Sequence, residues 1–150
     1  MGYERILVPV GGGKPDEEAI RLACLLAKKA KGRIEILYVL QVRRTLPLEA
    51  QIEPEIRKGE EVLDRVAAMA DREDCTVETE LLQAREIGAA IVEEAVGREA
   101  DLVVIGLGYK KRFGEFSLGS VVPLVLRDAP CRVIVCREPA PQSETTARST

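Results

Sequence analysis

A chain of 150 residues, 46% hydrophobic and 31% charged, suits a single domain with its own core. Its net charge of −3 and 3% aromatic content give no footing for nucleic-acid binding, which needs basic surface and stacking rings. It has no histidine, and Cys24, Cys75, Cys131 and Cys136 show no CxxC spacing. No metal site is therefore expected, and hydrolysis by a Ser-His or Cys-His pair is excluded. The thiols read as buried or half-buried free cysteines.

No apolar run approaches the ~20 residues of a membrane helix. The start, MGYERILVPV, enters an apolar stretch only about half as long as a signal core. The expected location is cytoplasmic.

In chain order, RILVPV (5–10) is a nearly continuous β-branched run, as for a parallel strand covered on both faces. Pro15 with Asp16, Glu17 and Glu18 makes a good first helical turn: proline needs no hydrogen-bond partner there, and the acids favour the positive end of the dipole. Ala19, Ile20, Ala23, Ala27 and Ala30 mark the inner face, and Gly32 ends the helix. RIEILYVL (33–40) predicts the second strand.

Residues 41–53 form a longer connection, expected as a flexible flap over one sheet edge. A helix beginning near Pro54 carries Ile56, Leu63, Val66 and Ala70. TVETELL (76–82) alternates, so the face bearing Thr76, Glu78 and Glu80 should meet solvent, as on an edge strand. The third helix carries Ile87, Ala90 and Ile91 and stops at Gly97. DLVVIGL (101–107) and CRVIVC (131–136) are further strands, and between them a helix follows Ser120, with Pro123 in its first turn and Asp128-Ala129-Pro130 as its stop.

Strict β-α alternation implies an α/β fold: a mostly parallel sheet, right-handed crossovers and helices on both faces. The domain is expected over residues 1–137. Residues 138–150 hold no apolar side chain larger than alanine and predict a disordered tail.

Ligands of such sheets bind beyond the carboxyl ends of the strands, where the strand order reverses. Gly11-Gly12-Gly13 after the first strand and Gly106-Leu107-Gly108 after the fourth reach that edge together. Gly119-Ser120 opens a helix, whose unpaired N–H groups and positive dipole end suit a phosphate. Ser120 either caps this helix or offers its hydroxyl to the ligand. Lys110, Lys111 and Arg112 read equally as phosphate contacts and as a solvated loop. Neither GxxxxGK[ST] nor GxGxxG is present.

ILVPVGGG, ILYVL and DLVVIGLG…LGSVVPLVLRDAPCRVIVC together resemble universal stress protein domains across about residues 4–137. The resemblance implies a flavodoxin/Rossmann-like three-layer sandwich with a five-stranded sheet of order 3-2-1-4-5. It also implies frequent dimerisation and, in one subgroup, ATP or another adenine nucleotide as ligand, with magnesium left open.

That subgroup's pattern is G, two residues, G, nine residues, then G-[S/T]. Gly106 and Gly119-Ser120 match its ends, while Tyr109 stands where the middle glycine belongs and Gly108 lies one place early. In Pro9-Val10-Gly11-Gly12-Gly13, Gly11 stands where nucleotide-binding members place an acid. Val39 and Ile105 match positions that flank adenine, and Val121 a backbone position beside the phosphates.

The leading expectation is a nucleotide-binding stress-response or regulatory domain acting as a dimeric sensor. The alternative is a nucleotide-free interaction module, dimerising through Val133-Ile134-Val135 and, as in similar domains fused to transporters, regulating a membrane transporter. Catalysis is expected to be weak or absent, because Glu115, the acid nearest the proposed phosphates in sequence, reads as surface charge.

Overall fold

The computed structural model of the chain describes residues 3–109, 118–141 and, as backbone alone, 111, 112, 115 and 116. Five parallel strands, β1 (Arg5–Val10), β2 (Arg33–Gln41), β3 (Val77–Ala84), β4 (Leu102–Leu107) and β7 (Arg132–Arg137), form one sheet in the spatial order β3-β2-β1-β4-β7. Among the sheet's own strands this is order 3-2-1-4-5, so the chain reverses direction across the sheet between β1 and β4. Helices α1 (Pro15–Ala30), α2 (Glu53–Arg72), α3 (Ile87–Gly97) and α4 (Val121–Asp128) supply the outer layers. The fold is the three-layer sandwich expected.

The two-residue repeat of each strand separates two cores. Ile6, Val8, Ile34, Ile36 and Val104 face α1 and α2, where they meet Ile20, Ala23, Val66 and Ala70. Leu7, Leu37, Val39 and Val103 face the other way, towards Ile91 of α3 and Val125 of α4. Each fully buried side chain of this size contributes roughly 1.5–3 kcal/mol. The strands are therefore apolar on both faces, and slipping any of them by one residue would exchange the two cores.

β3 and β7 are the sheet edges. Thr76 and Glu78 are exposed as the alternation predicts, while Glu80 is half-buried. Cys24 is buried, and the other three cysteines are half-buried and free.

The connection over 42–52 meets the carboxyl end of β3, a sheet edge. Its Val42 N–H donates to the Ala84 carbonyl, and Gln83 Nε2 donates to the Leu48 and Ala50 carbonyls at 2.9 and 2.8 Å. It is thus fastened along β3.

Two short strands, β5 (Lys111–Arg112) and β6 (Glu115–Phe116), pair antiparallel inside the segment read from sequence as a loop. No described helix is long and apolar enough to cross a membrane. Residues 142–150, most of the expected tail, lie outside the described residues.

Candidate functional site

At the carboxyl edge of β1, β2 and β4 lies a cleft of ≈ 910 Å³. Its apolar wall is built by Leu37 and Val39 from β2, Ile105 from β4, and Ile87 and Ile91 from α3. Val39 is 8% and Ile105 7% exposed, so each presents a limited surface fixed in place by the core beneath. These two were legible in advance; the α3 pair was not, because its 3.6-residue repeat equally describes a helix face buried on the sheet.

Pro9, Val10 and Gly11 line the β1 side, Gly106, Gly108 and Tyr109 the β4 side, and Gly119, Ser120 and Val121 the mouth at the start of α4. Gly12 is not part of the lining, although Gly11 and Gly13 are. The cleft thus unites the expected residues apart from Gly12 and the basic run. Lys110 lies outside the described residues, as do the side chains of Lys111, Arg112 and Glu115.

The glycine segments do different work from that expected of them. Gly11 and Gly12 N–H both donate to the Asp16 carboxylate, at 3.2 and 2.8 Å. Arg65 Nη2 donates to the Gly12 carbonyl at 3.1 Å, tying the turn to α2. Gly12 has φ +98°, a conformation that glycine adopts without steric cost.

A turn of successive N–H groups is an anion-binding concavity, and here it encloses the chain's own anion. Asp16 is only 6% exposed. Burial pushes its carboxyl above the usual range, opposed by the bonds from Gly12 and Gly11 and by the Arg65 charge. From sequence, Asp16 is one of three acids suited to a helix start; its aim into the turn depends on the tertiary path of residues 11–15.

Gly106 is required by packing. A Cβ there would strike the Pro15 carbonyl, so its missing side chain lets the start of α1 lie directly on β4. Gly119 has φ +72° with open space where a Cβ would stand, so the backbone is what demands glycine. Ser120 precedes α4 without a side-chain capping bond. Val121 and Val122 begin the helix with N–H groups that have no intrahelical acceptor.

Tyr109 does not stack over the cleft in isolation. Arg137 lies 5.2 Å from its ring centroid, a cation–π arrangement. Its backbone N–H donates to Glu138 Oε1 at 3.3 Å. Glu138 in turn continues the sheet, its N–H donating to the Leu107 carbonyl, and it lines the cleft. No sequence signal marks this acid, since the contact spans 29 residues.

The universal stress protein family model matches residues 2–137. The chain belongs to the universal stress protein family. A universal stress protein of Methanocaldococcus jannaschii is 31% identical over 143 residues, covering 91% of this chain and 84% of the relative. The fold is also that of the universal stress protein from Archaeoglobus fulgidus, with TM-score 0.76, 24% identity and coverage of 89% and 98% of the two chains. A universal stress protein structure from the same organism in complex with dAMP gives TM-score 0.72, 23% identity and coverage of 90% and 98%.

A second cleft, ≈ 250 Å³, lies at the opposite end of the sheet, among Arg5, Arg33, Glu35, Glu78 and Arg98. Glu35 is 8% exposed. Neither of its oxygens accepts a hydrogen bond, although Arg98 Nη2 is 3.1 Å from Oε2. Arg98 also faces Glu78 at 3.3 Å and Glu94 at 3.4 Å, so one guanidinium serves three carboxyl groups. The Glu35 carboxyl is pushed up to about 8, first by burial and then by the neighbouring Glu94 carboxyl, against the pull of Arg98.

Proposed function

We propose that the large cleft binds an adenine nucleotide and that the protein is a stress-response or regulatory domain, working by occupancy and not by turnover. The observation that carries this reading is the continuity of an apolar slot between Val39 and Ile105 with the N–H donors that open α4. A base fits the slot, and a phosphate suits the positive helix end. The A. fulgidus relative held with dAMP supports the same class of ligand. Pro9, Val10 and Gly11 would border the adenosine, with Gly106 and Gly108 near the sugar and Gly119, Ser120 and Val121 on the phosphate. Lys110, Lys111 and Arg112 would add charge to that end.

The test is to denature the purified protein and identify any released small molecule by chromatography and mass spectrometry. Calorimetry of the stripped protein with adenine nucleotides then gives the affinities. An adenine nucleotide released or bound supports the reading; no heat at millimolar nucleotide sinks it.

The second reading is a nucleotide-free interaction module. It is favoured by β7, whose half-buried Val133, Ile134 and Val135 form an open sheet edge, a template for pairing with another chain. In either reading we propose a cytoplasmic homodimer joined along this strand by a two-fold axis. Light scattering should give twice the 16.5 kDa chain mass, and hydrogen exchange should protect 133–135 more at high than at low protein concentration. A monomer at all concentrations refutes the pairing. Among protein partners, a membrane transporter is the candidate of the second reading.

A further inference from the structure

We propose that Cys24 and Cys75 form a redox-modification site, closing reversibly into a disulfide when the protein meets hydrogen peroxide and so bonding α1 to the turn between α2 and β3. The inference is independent of the nucleotide reading.

The two thiols are far apart in the chain, and the fold brings them together. Cys24 lies on the inner face of α1, 2% exposed, and Cys75 packs against the same core cluster from the turn after α2. That turn is closed by the Asp74 and Cys75 N–H groups, which donate to the Asp71 and Ala70 carbonyls at 3.0 Å each. One helical turn before Cys24, Arg21 Nε is 4.0 Å from Glu73 Oε1 across the same junction. Residues three apart share a helix face, so Arg21 and Cys24 both look onto residues 73–75. The surroundings of the thiol agree with this placement. Cys24 is pushed up to about 12, first by burial and then by the neighbouring Cys75 thiol and the Glu73 charge, against the pull of Lys28.

These environments divide the chemistry. Cys24, buried and held protonated, is closed to a polar oxidant, whereas Cys75 is half-buried and meets it first. The Cys75 thiolate attacks one peroxide oxygen: the S–O bond forms, the O–O bond breaks, and the released hydroxide takes up a proton as water. Cys75 has then given two electrons to the peroxide and is a sulfenic acid. The Cys24 sulfur displaces the sulfenic hydroxyl; the S–S bond forms, the S–O bond breaks, and the Cys24 proton leaves with that hydroxide as a second water. Two thiols and one peroxide thus give one disulfide and two waters. A small dithiol reverses the step by exchange and ends as a disulfide itself. Cys75 stands outside both α2 and β3, in a turn free to make the last approach to the ~2.05 Å of an S–S bond.

The test uses the reduced full-length protein, treated with hydrogen peroxide, alkylated with iodoacetamide and digested with trypsin without reduction. Each cysteine falls on its own tryptic peptide, so mass spectrometry reads the pairing directly. The expected product joins peptides 22–28 and 73–85 within one chain, leaves Cys131 and Cys136 alkylated, and disappears with dithiothreitol. The link closes a loop of about 50 residues, so the oxidised protein should melt roughly 5–10 °C higher. Cys75→Ser should abolish both the link and the shift. In Cys24→Ala the Cys75 sulfenic acid should accumulate instead, trapped by dimedone. Cys24 and Cys75 both recovered alkylated after peroxide, or Cys75 recovered joined to another cysteine, would overturn the proposal, as would a 24–75 link that formed only in urea.

Discussion

Glu35→Gln should stabilise the protein in alkaline solution. The folded-state carboxyl is raised from 4.5 to about 8, with burial the larger cause and Glu94 the next. Between these two values the native state holds a proton that the unfolded chain has released. Stability therefore falls as pH rises through this window, and the full penalty is present above the folded value.

Each tenfold difference in proton affinity between the folded and unfolded chain corresponds to about 1.4 kcal/mol, which puts the ceiling near 5 kcal/mol. Relaxation around Arg98 and entry of water from the small cleft reduce this, so roughly 2–3 kcal/mol is expected. Glutamine copies the shape of the protonated acid, and its amide N–H can donate to Glu94. At pH 9 the variant should gain about 2–3 kcal/mol over the wild type, or roughly 5–10 °C in Tm. At pH 5 the two should agree within about 1 kcal/mol. Urea unfolding at pH 5, 7 and 9 measures the difference, in which titrations common to both proteins cancel. A variant no more stable than the wild type at pH 9 would refute the raised Glu35 carboxyl.

Three other variants separate packing from ligand contact. Gly119→Val forces a β-branched residue into φ +72° but meets no neighbour through its Cβ, so nucleotide affinity should fall about tenfold, from roughly 1–2 kcal/mol of backbone strain, while circular dichroism stays native. Gly106→Ala should lower stability by about 2–3 kcal/mol in urea, because its Cβ meets the Pro15 carbonyl and α1 must move; an unchanged midpoint would show that the start of α1 yields easily. Replacing Lys110, Lys111 and Arg112 together by alanine should weaken nucleotide binding about fivefold at low salt and flatten its salt dependence. Equal affinity for triple variant and wild type would identify the run as solvated surface.

The sandwich was legible because its strands are buried on both faces. RILVPV and DLVVIGL admit few readings other than inner parallel strands, and the alternation in 76–82 marked β3 as an edge. Val39 and Ile105 were legible for a narrower reason, as end-of-strand positions in a recognised family pattern. The hairpin of β5 and β6 was hidden because two-residue strands leave no periodicity to detect. Gly106, read from sequence as part of the ligand edge, also abuts another stretch of backbone at Pro15; a sequence shows that a side chain is absent, not what comes close in its place. Glu138 lies where composition turns to Pro, Ser and Thr, and only its pairing with Leu107 draws it to the cleft.

Asp16 has the deeper reason. The same three properties that made it a good first-turn acid, a short side chain, a negative charge and a place beside unpaired N–H groups, also let it close the glycine turn. Helix-dipole logic accounts for an acid at that end of α1 without distinguishing Asp16 from Glu17 or Glu18. The distinction comes from Gly11 and Gly12: without side chains, their N–H groups lie against a carboxylate four and five residues ahead. Gly11, a departure from the nucleotide pattern when read alone, and Asp16 are therefore two halves of one arrangement, in which the acid reaches the turn from the helix instead of projecting from the turn itself.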